Sequence, residues 1–497
     1  MKKLTLALIY IFVYSLPLAQ AQKEDYQWLM GTNTYPNKSG NLLDFNGSVL
    51  QISNVANNPA NMSDNQSSVC DKNGKLLVYS NGCDIYNRNF QKIYIPQTDP
   101  YPFALDDHYT CPYEHYGFAT DYNGSMLLPF PNHNNRFVLL HYNLAPWPTD
   151  YSDFLLYFNK WLYTEINTSA NNELGALETV RGLIKDDSFY LSSSISACRH
   201  ANGRDWWIIS PKLKLGATNG NYYKALLSPT GISEAQPQVV GHKFEHENGA
   251  GQSIFSPDGT KFARAVAILG TSMAKIGIYD FDRCTGTLSN ERYEEILNDS
   301  SYMGGLAFSA TSKRLYFNIG SRIYQYNMAA TNPLASRQKV YDWRWGDMTE
   351  YVNFRQERLA PDGKIYIAHS SSPYLHRINY PDSLGVACGV CIDCIEMPNY
   401  SQAALPNIPH FRLGALVGSG CDTLATAVAE IEKEENLFQL SPNPASTELE
   451  ISTKQIAYGN EVQIYNAIGV AVLTQNLTSE KTTLDVSQLP PDRKSVV

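Results

Sequence analysis

The stretch Phe255-Ser-Pro-Asp-Gly-Thr-Lys-Phe-Ala263 has the pattern of a strand end, a tight turn and the start of a second strand. Pro257 fixes φ, Asp258 bonds the local backbone and Gly259 accepts a positive φ. The alternating apolar residues after the turn indicate a strand with one buried face. The stretch therefore predicts a β-hairpin.

The same pattern recurs along the chain. Phe308–Phe317 and Leu359–Ala368 repeat it, with starts 53 and 51 residues apart. Weaker copies precede them, at Asp71–Tyr79, Asp121–Leu128 and Ala201–Ile209. An all-strand repeat with a period near 50 residues predicts the blades of a β-propeller. A β-sandwich array with chance turn matches is the competing architecture.

The blade count depends on how the ring closes. Strand-like segments remain at Leu43–Ser53 and at His410–Leu416. Together they predict a composite closing blade, so we favour seven blades, with six as the alternative.

Length and composition fit an all-β protein. The 497 residues suit one large β domain followed by a small one, and the chain contains 33 Tyr but only 18% charged residues. The net charge of −9 argues against nucleic acid or an anionic membrane surface as a partner, because both bind basic faces.

The N-terminus predicts export. Lys2 and Lys3 precede an apolar run from Leu4 to about Leu18, and Ala19-Gln-Ala21 supplies a small-x-small cleavage pattern. We therefore expect a signal peptide over residues 1–21 and no transmembrane anchor.

Nine cysteines lie in the expected mature chain, where export permits disulfides. Cys70 and Cys83 flank a hairpin-like segment and could pair across it. Cys388, Cys391 and Cys394 form a cluster, with Cys421 downstream; we favour disulfides over a metal centre there. The odd total leaves at least one thiol free or paired between molecules.

The end of the chain resembles a known export signal. It contains Phe438-Gln-Leu-Ser-Pro-Asn-Pro-Ala-Ser446, Val462–Val472 and Leu484–Pro491. These segments resemble the C-terminal sorting domain of proteins exported by the type IX secretion system of Bacteroidetes. The resemblance implies a small β-sandwich, the secretion machinery as partner, and a secreted or cell-surface location. The matching positions are Pro442, Asn443, Pro444, Tyr465, Gly469, Asp485 and Leu489.

Residues upstream resemble exported Bacteroidetes propellers related to WD-type and TolB-type repeats. The likeness covers roughly Asp44 to Thr423 and includes Cys70–Gly82, His200–Trp207 and Leu405–Gly414. It implies the fold and the export route but carries no activity.

These observations predict the domain organisation. We expect the propeller over 22–423, a solvated linker over 424–436 and the sorting domain over 437–491. The sorting domain lacks its last strands, because the chain continues as Asp492-Arg-Lys-Ser-Val-Val497. That tail matches a sequencing-adapter read-through, so we expect residues 492–497 to be non-native.

Candidate binding residues are aromatic and lie beside polar groups. Trp206 and Trp207 follow Arg204 and Asp205, whereas Trp343 and Trp345 flank Arg344. Exposed aromatic rings suit sugar rings, although Trp side chains in repeat strands more often pack between blades. One loop contains several potential metal ligands, but their spacing fits no metal-binding signature. These residues are Asp106, Asp107, His108, Cys111, Glu114 and His115.

No G-x-S-x-G, H-E-x-x-H or P-loop motif occurs. We therefore expect a non-catalytic binding or scaffold protein without a cofactor, whose ligand is a glycan or a protein. The alternative is a polysaccharide-acting hydrolase or lyase that uses acids on the channel face. A structural role in a surface layer is a third possibility.

Overall fold

The computed structural model describes residues 22–31, 39–56, 58–60, 62, 65–95, 123–146, 156–186, 194–212, 219–244, 251–268, 273–297, 303–343, 352–369, 372–401, 403–422, 438–442, 445, 447–453, 461–465, 471–477, 479–488 and 495–496. The chain divides into two compact units, Met1–Asp422 and Thr423–Val497.

The described part of the first unit forms seven antiparallel sheets, three of them in the N-terminal part of the unit. Sheet 1 contains β1 (Gln27–Gly31), β2 (Ser39–Asp44) and β3 (Gln51–Ala56). Sheet 2 contains β4 (Ser67–Cys70), β5 (Leu76–Ser80) and β6 (Ile85–Asn87). Sheet 3 contains β7 (Met126–Pro129), β8 (Arg136–Pro146), β9 (Leu156–Asn167), β10 (Ala176–Leu177) and β11 (Gly182–Asp186).

The other four sheets follow in chain order. Sheet 4 contains β12 (Ser196–Arg199), β13 (Trp206–Lys212), β14 (Asn219–Ser228), β15 (Gly231–Ile232) and β16 (Gln236–His242). Sheet 5 contains β17 (Gly251–Phe255), β18 (Lys261–Ile268), β19 (Met273–Asp282) and β20 (Thr287–Leu297). Sheet 6 contains β21 (Met303–Phe308), β22 (Arg314–Ile319), β23 (Arg322–Asn327) and β24 (Gln338–Asp342). Sheet 7 contains β25 (Phe354–Leu359), β26 (Ile365–His369), β27 (Ser372–Ile378) and β28 (Val390–Ser401).

Helical structure is minor. One turn, α1 (Ala170–Glu173), contains left-handed Asn171 and Asn172, and two 3₁₀ turns occupy Leu334–Ser336 and Gly385–Cys388. Within the described ranges, no helix has the length and apolar character needed to cross a membrane.

The sheets succeed one another around a ring. The first strands β1, β4 and β7 contact in succession, as do β12, β17, β21 and β25, so the first strand of each sheet is innermost. A backbone hydrogen bond from Ile195 to the Asn123 carbonyl joins sheets 3 and 4. The architecture is the predicted β-propeller; the count of seven blades stays a prediction.

Ring closure differs from the expected composite blade. Sheet 1 is built from N-terminal strands alone and packs against β28 of sheet 7. There the Asn41 Nδ2 donates to the Asn399 carbonyl at 2.9 Å, and the Asn399 N–H returns a bond to the Asn41 Oδ1 at 2.9 Å. His410–Leu416 contains no strand, so the composite blade was wrong. Backbone groups of the segment bond outside any ladder: the Arg283 guanidinium donates to the Gly414 carbonyl, and the Leu416 N–H donates to the Ala201 carbonyl.

The predicted tight turn is present at Gly259. The copy at Ser312, which lacks the Pro-Asp-Gly sequence, has the same hydrogen bond. The N–H of Gly259 bonds to the Ser256 carbonyl, and the N–H of Ser312 bonds in the same way to Ser309. Gly259 has φ +69° and Ser312 has φ +61°. The copy near Asn123 is displaced, because it precedes β7 rather than joining β7 to β8.

The second unit contains two three-stranded sheets in its described residues. One pairs β29 (Phe438–Ser441), β30 (Glu448–Thr453) and β33 (Lys481–Asp485). The other pairs β31 (Glu461–Tyr465), β32 (Ala471–Asn476) and β34 (Ser495–Val496). Their core includes Ile451, Ile464 and Leu484. Ser495 and Val496, which lie in the segment expected to be non-native, thus pair with β31.

Candidate functional site

A segment that follows the last sheet fills the centre of the ring. We call residues 403–412 the plug. Ala404, Leu405 and Phe411 in this segment are buried almost completely. The plug contacts the innermost strands of several sheets. It therefore occupies the place where a propeller otherwise has an open channel.

Asn407 joins the plug to three sheets. Its backbone N–H donates to the Gln66 carbonyl at 2.7 Å, beside sheet 2. Its side-chain Nδ2 donates to the carbonyls of Ser125 at 2.9 Å and Ile195 at 3.0 Å, just before the innermost strands of sheets 3 and 4. One buried amide therefore satisfies backbone groups that the ring geometry leaves without ladder partners.

Sheet 7 holds the plug with charged and amide side chains. The Arg358 NH1 donates to the Ile408 carbonyl at 2.7 Å, and the Leu405 N–H donates to the Gln356 Oε1 at 2.8 Å. Burial lowers the pKa of Arg358 to about 10. The Gln356 amide and the Arg358 guanidinium thus form hydrogen bonds with backbone groups of the plug that have no strand partner.

Glu357 is fully buried beside this contact. Its Oε1 accepts a hydrogen bond from the Asn318 Nδ2 at 2.8 Å, and Oε2 has no hydrogen-bond partner among the described residues. Burial raises the pKa of Glu357 to about 8. The group is therefore mostly neutral near pH 7.

The plug leaves a cavity of about 70 Å³ at the ring centre. It is lined by plug residues and by the first strands of six sheets, with Glu357, Arg358 and Asp25 among the charged groups. Asp25 forms an ion pair with Arg412 at 2.6 Å. Burial lowers the pKa of His410, another lining residue, to about 4. This volume is well below the roughly 300–1,000 Å³ of ordinary ligand pockets.

A larger depression lies between sheets 2 and 3. We call it the peripheral groove; its volume is about 650 Å³. Tyr94 is 72% exposed and Leu174 is 43% exposed there. The other lining residues are mainly amide and small side chains: Asn87, Gln91, Lys92, Ile93, Asn171, Gly175, Ala176 and Leu177. Its size is typical of ligand pockets, which span about 300–1,000 Å³.

Hydrogen bonds fix the walls of the peripheral groove. The Asn87 Nδ2 donates to the Leu174 carbonyl at 3.0 Å, and the Asn171 Nδ2 donates to the Gly175 carbonyl at 3.0 Å. Lys92 pairs with Asp84 at 2.7 Å, and its Nζ lies 5.9 Å from the Tyr94 ring centroid. The groove is therefore preformed, and its lining, as far as the structure describes it, has one charge that is already paired.

The predicted aromatic residues do not gather into one site. Trp206 is completely buried, with the Arg199 guanidinium 3.8 Å from its ring centroid and Phe411 of the plug 5.7 Å away. The Trp207 Nε1 donates to the Arg283 carbonyl at 2.9 Å, at the junction of sheets 4 and 5.

Trp343 is buried in the core between sheets 6 and 7. The described residues do not include Arg344 or Trp345. They also do not include 106–115, the loop with potential metal ligands. The buried rings of Trp206 and Trp343 support core packing, and a ligand contact by Trp207, Arg344 or Trp345 stays a prediction. In the sequence, the residues of the peripheral groove stand out only as a Tyr in a segment that contains several amide side chains.

The predicted Cys70–Cys83 bond was wrong. Cys70 has a free, buried thiol that accepts a hydrogen bond from the Gln27 N–H at 3.2 Å, whereas Cys83 belongs to a disulfide whose partner lies outside the described residues. A disulfide joins Cys284 to Cys421, 137 residues apart. It holds the chain just after the plug, and sequence spacing gave no signal for so distant a pair.

The comparisons with known proteins concern both units. No curated protein is significantly similar to the chain. A Bacteroides uniformis protein, whose structure carries the name 6-phosphogluconolactonase, is 11% identical, covers 77% of this chain and 99% of its own, and has a TM-score of 0.42. The Dos1 propeller is 9% identical, covers 77% and 87%, and has a TM-score of 0.37. Sqt1 from Chaetomium thermophilum is 12% identical, covers 77% and 87%, and has a TM-score of 0.34.

The C-terminal unit matches a family by sequence. Residues 439–491 fit the profile of the secretion system C-terminal sorting domain. Of the predicted sorting positions, Tyr465 lies at the end of β31 and Asp485 at the end of β33, and Pro442 follows β29. Asn443, Pro444, Gly469 and Leu489 lie outside the described residues. Residues 439–491 are thus a type IX secretion sorting domain, and the protein is exported to the cell surface or the extracellular space.

Proposed function

We propose that the protein is an exported, non-catalytic binding protein that takes up a neutral glycan in the peripheral groove. The observation that carries the proposal is the contrast between two volumes. The cavity at the ring centre measures about 70 Å³, whereas the groove measures about 650 Å³. Of these two volumes in the described part of the chain, the groove is the one that reaches the size of ordinary ligand sites.

The chemistry of the groove supports a neutral polyhydroxylated ligand. The exposed Tyr94 ring offers a face for stacking on a sugar ring, and amide side chains suit hydroxyl groups. Lys92, the charged residue in its described lining, is already paired with Asp84. A ligand that carried charge would therefore find no free partner in the described lining.

The alternative is a hydrolase that uses channel acids. Glu357 has the raised pKa, about 8, that suits a general acid at neutral pH. The second carboxylate in the lining, Asp25, is paired with Arg412. The cavity at the ring centre, about 70 Å³, is several times smaller than ordinary ligand pockets of roughly 300–1,000 Å³. Hydrolysis at this place would require the plug to leave the ring.

The test is a glycan array on the mature chain from Gln22, followed by calorimetry on hits and analysis of products. We expect binding without new reducing ends. Tyr94→Ala should weaken the affinity about tenfold, equivalent to about 1.4 kcal/mol, because the stacking face is lost. The matched control is Tyr380→Ala, since Tyr380 is 66% exposed and lies outside the groove.

Each outcome has a distinct meaning. Equal affinity of Tyr94→Ala and the wild type would contradict the groove but keep glycan binding. Cleavage that Glu357→Gln abolishes would replace binding with hydrolysis. A blank array would contradict the glycan and turn the search to protein ligands.

A further inference from the structure

Strand β28 contains a pronounced bulge opposite His376. Cys391 pairs with Arg377, and Ile395 pairs with Leu375. Three residues of β28, 392–394, therefore face the single residue His376 of β27. Asp393 within the bulge has φ +49°, in the left-handed region. Such bulges redirect the side chains around them.

A buried histidine fixes the bulge. The Asp393 N–H donates to the His376 Nδ1 at 3.0 Å. The His376 side chain is completely buried and meets the Phe354 ring edge-on at 5.0 Å. The buried histidine thus holds the backbone of the bulge by a hydrogen bond.

The bulge brings two thiols together. Cys391 and Cys394 are free and partly exposed, and the Cys394 thiol donates to the Cys391 carbonyl at 3.4 Å. Burial and the neighbouring Cys391 thiol raise the pKa of Cys394 to about 12. In a regular strand, side chains three residues apart point to opposite faces and lie about 10 Å apart. Here Asp393, with its positive φ, turns the chain between the two residues, and the Cys394 thiol reaches back to the Cys391 carbonyl.

Other assignments for this pair are weaker. Cys388 is completely buried, and its thiol bonds to the Tyr316 hydroxyl, so it is not placed to compete. Within the described part of the chain, no group of three or more His, Cys, Asp or Glu side chains could hold a metal ion.

We propose that Cys391 and Cys394 form a disulfide after export, which closes the bulge of β28. The two thiols lose two protons and two electrons as the S–S bond forms. A disulfide donor, either a thiol oxidoreductase or a small-molecule disulfide, accepts the electrons and is reduced to two thiols. The bond would stiffen the strand that closes the ring, because Asn399 of β28 bonds to Asn41 of sheet 1.

The experiment uses the folded mature chain. The protein is equilibrated with reduced and oxidised glutathione, quenched with acid, alkylated and mapped by mass spectrometry. We expect a single peptide in which Cys391 and Cys394 escape alkylation and the mass is lower by two hydrogens. Cys391→Ser should instead leave Cys394 alkylated or bound to glutathione, and Cys394→Ser should do the same for Cys391.

Cys388→Ser is the matched control and should retain the bond. Full alkylation of both Cys391 and Cys394 after treatment with oxidised glutathione would overturn the proposal. A bond from either residue to Cys388 would overturn it as well. Because the wild-type map is itself decisive, a variant that failed to fold would not leave the question open.

Discussion

The polar side chains at the ring centre are shielded from solvent, whereas the peripheral groove is exposed to it. At the centre, Glu357, Arg358 and Asn407 are buried and bonded to neighbouring sheets or to the plug. In the groove, Tyr94 presents most of its surface to solvent. In this propeller the polar groups of the centre bond to the ring itself, whereas the proposed binding site lies at its outer edge.

The largest expected effect concerns the pH dependence of the centre. The pKa of Glu357 is about 8 in the folded protein, above its ordinary 4.5. Between these values the folded state holds more protons than the unfolded state, so the free energy of unfolding falls as the pH rises. The fall should approach roughly 4 kcal/mol, at about 1.4 kcal/mol per pKa unit.

Urea unfolding of the wild type and Glu357→Gln at about pH 5 and about pH 8.5 measures this term. The variant should lack it, while Asp25 and His410 titrate in both proteins and cancel in the difference. Exposed Glu396→Gln is the control and should follow the wild type. Parallel curves for the wild type and Glu357→Gln would mean that water reaches the centre, and the contrast with the groove would weaken.

The anchor behind the plug should have the next largest effect. Cys421→Ser removes a disulfide that spans 137 residues. Disulfides typically contribute about 2–4 kcal/mol, and for so long a loop we expect a loss of about 4 kcal/mol in the free energy of unfolding, measured by urea denaturation. Cys284→Ser should lose the same amount. If either variant kept wild-type stability, the plug would be held by its hydrogen bonds alone.

Asn407→Ala tests those hydrogen bonds directly. It leaves the carbonyls of Ser125 and Ile195 without their amide donor, and we expect a loss of about 3 kcal/mol. Asn221→Ala is the control, since its amide bonds only the nearby Asn219 carbonyl at the surface; its change should stay within about 0.5 kcal/mol. Glycan affinity of the folded Asn407→Ala protein should match the wild type. A loss of affinity would show that centre and groove are coupled.

The smallest effect on stability is expected in the groove. Asn87→Ala frees the Leu174 carbonyl and removes the Oδ1 acceptor of the Asn89 and Gln91 N–H groups, and it should cost about 2 kcal/mol of folding stability. It should nevertheless weaken glycan binding, because the wall of the groove loses its support. Calorimetry and urea denaturation on the same sample separate the two quantities. Unchanged affinity would move the ligand away from this wall.

Sequence patterns predicted the repeated hairpins because their turns depend on neighbouring residues only. Pro257, Asp258 and Gly259 dictate their own backbone, and even Ser312 follows the same path. The sorting domain was predictable for a similar reason, since its motifs are continuous. The resemblance to exported propellers had included Leu405–Gly414, but nothing in that string said that it enters the ring.

The plug and the cysteine pairing could not be predicted because they depend on residues far apart in the chain. Asn407 has partners near Gln66, Ser125 and Ile195, which no local pattern connects. Cys70 sits close to Cys83 in sequence yet bonds to Gln27 of sheet 1. Trp206 looked like a binding residue, and its burial depends on Phe411 of the plug.

The plug also constrains the order of folding. Gln66 and Ala404, which bond through the Gln66 side chain, are 338 residues apart, so this contact forms only after nearly the whole ring has been synthesised. Contacts of such long sequence separation are slow to form because the entropy of loop closure must be overcome first. A chain that crosses the cell envelope would therefore remain without its final centre until late.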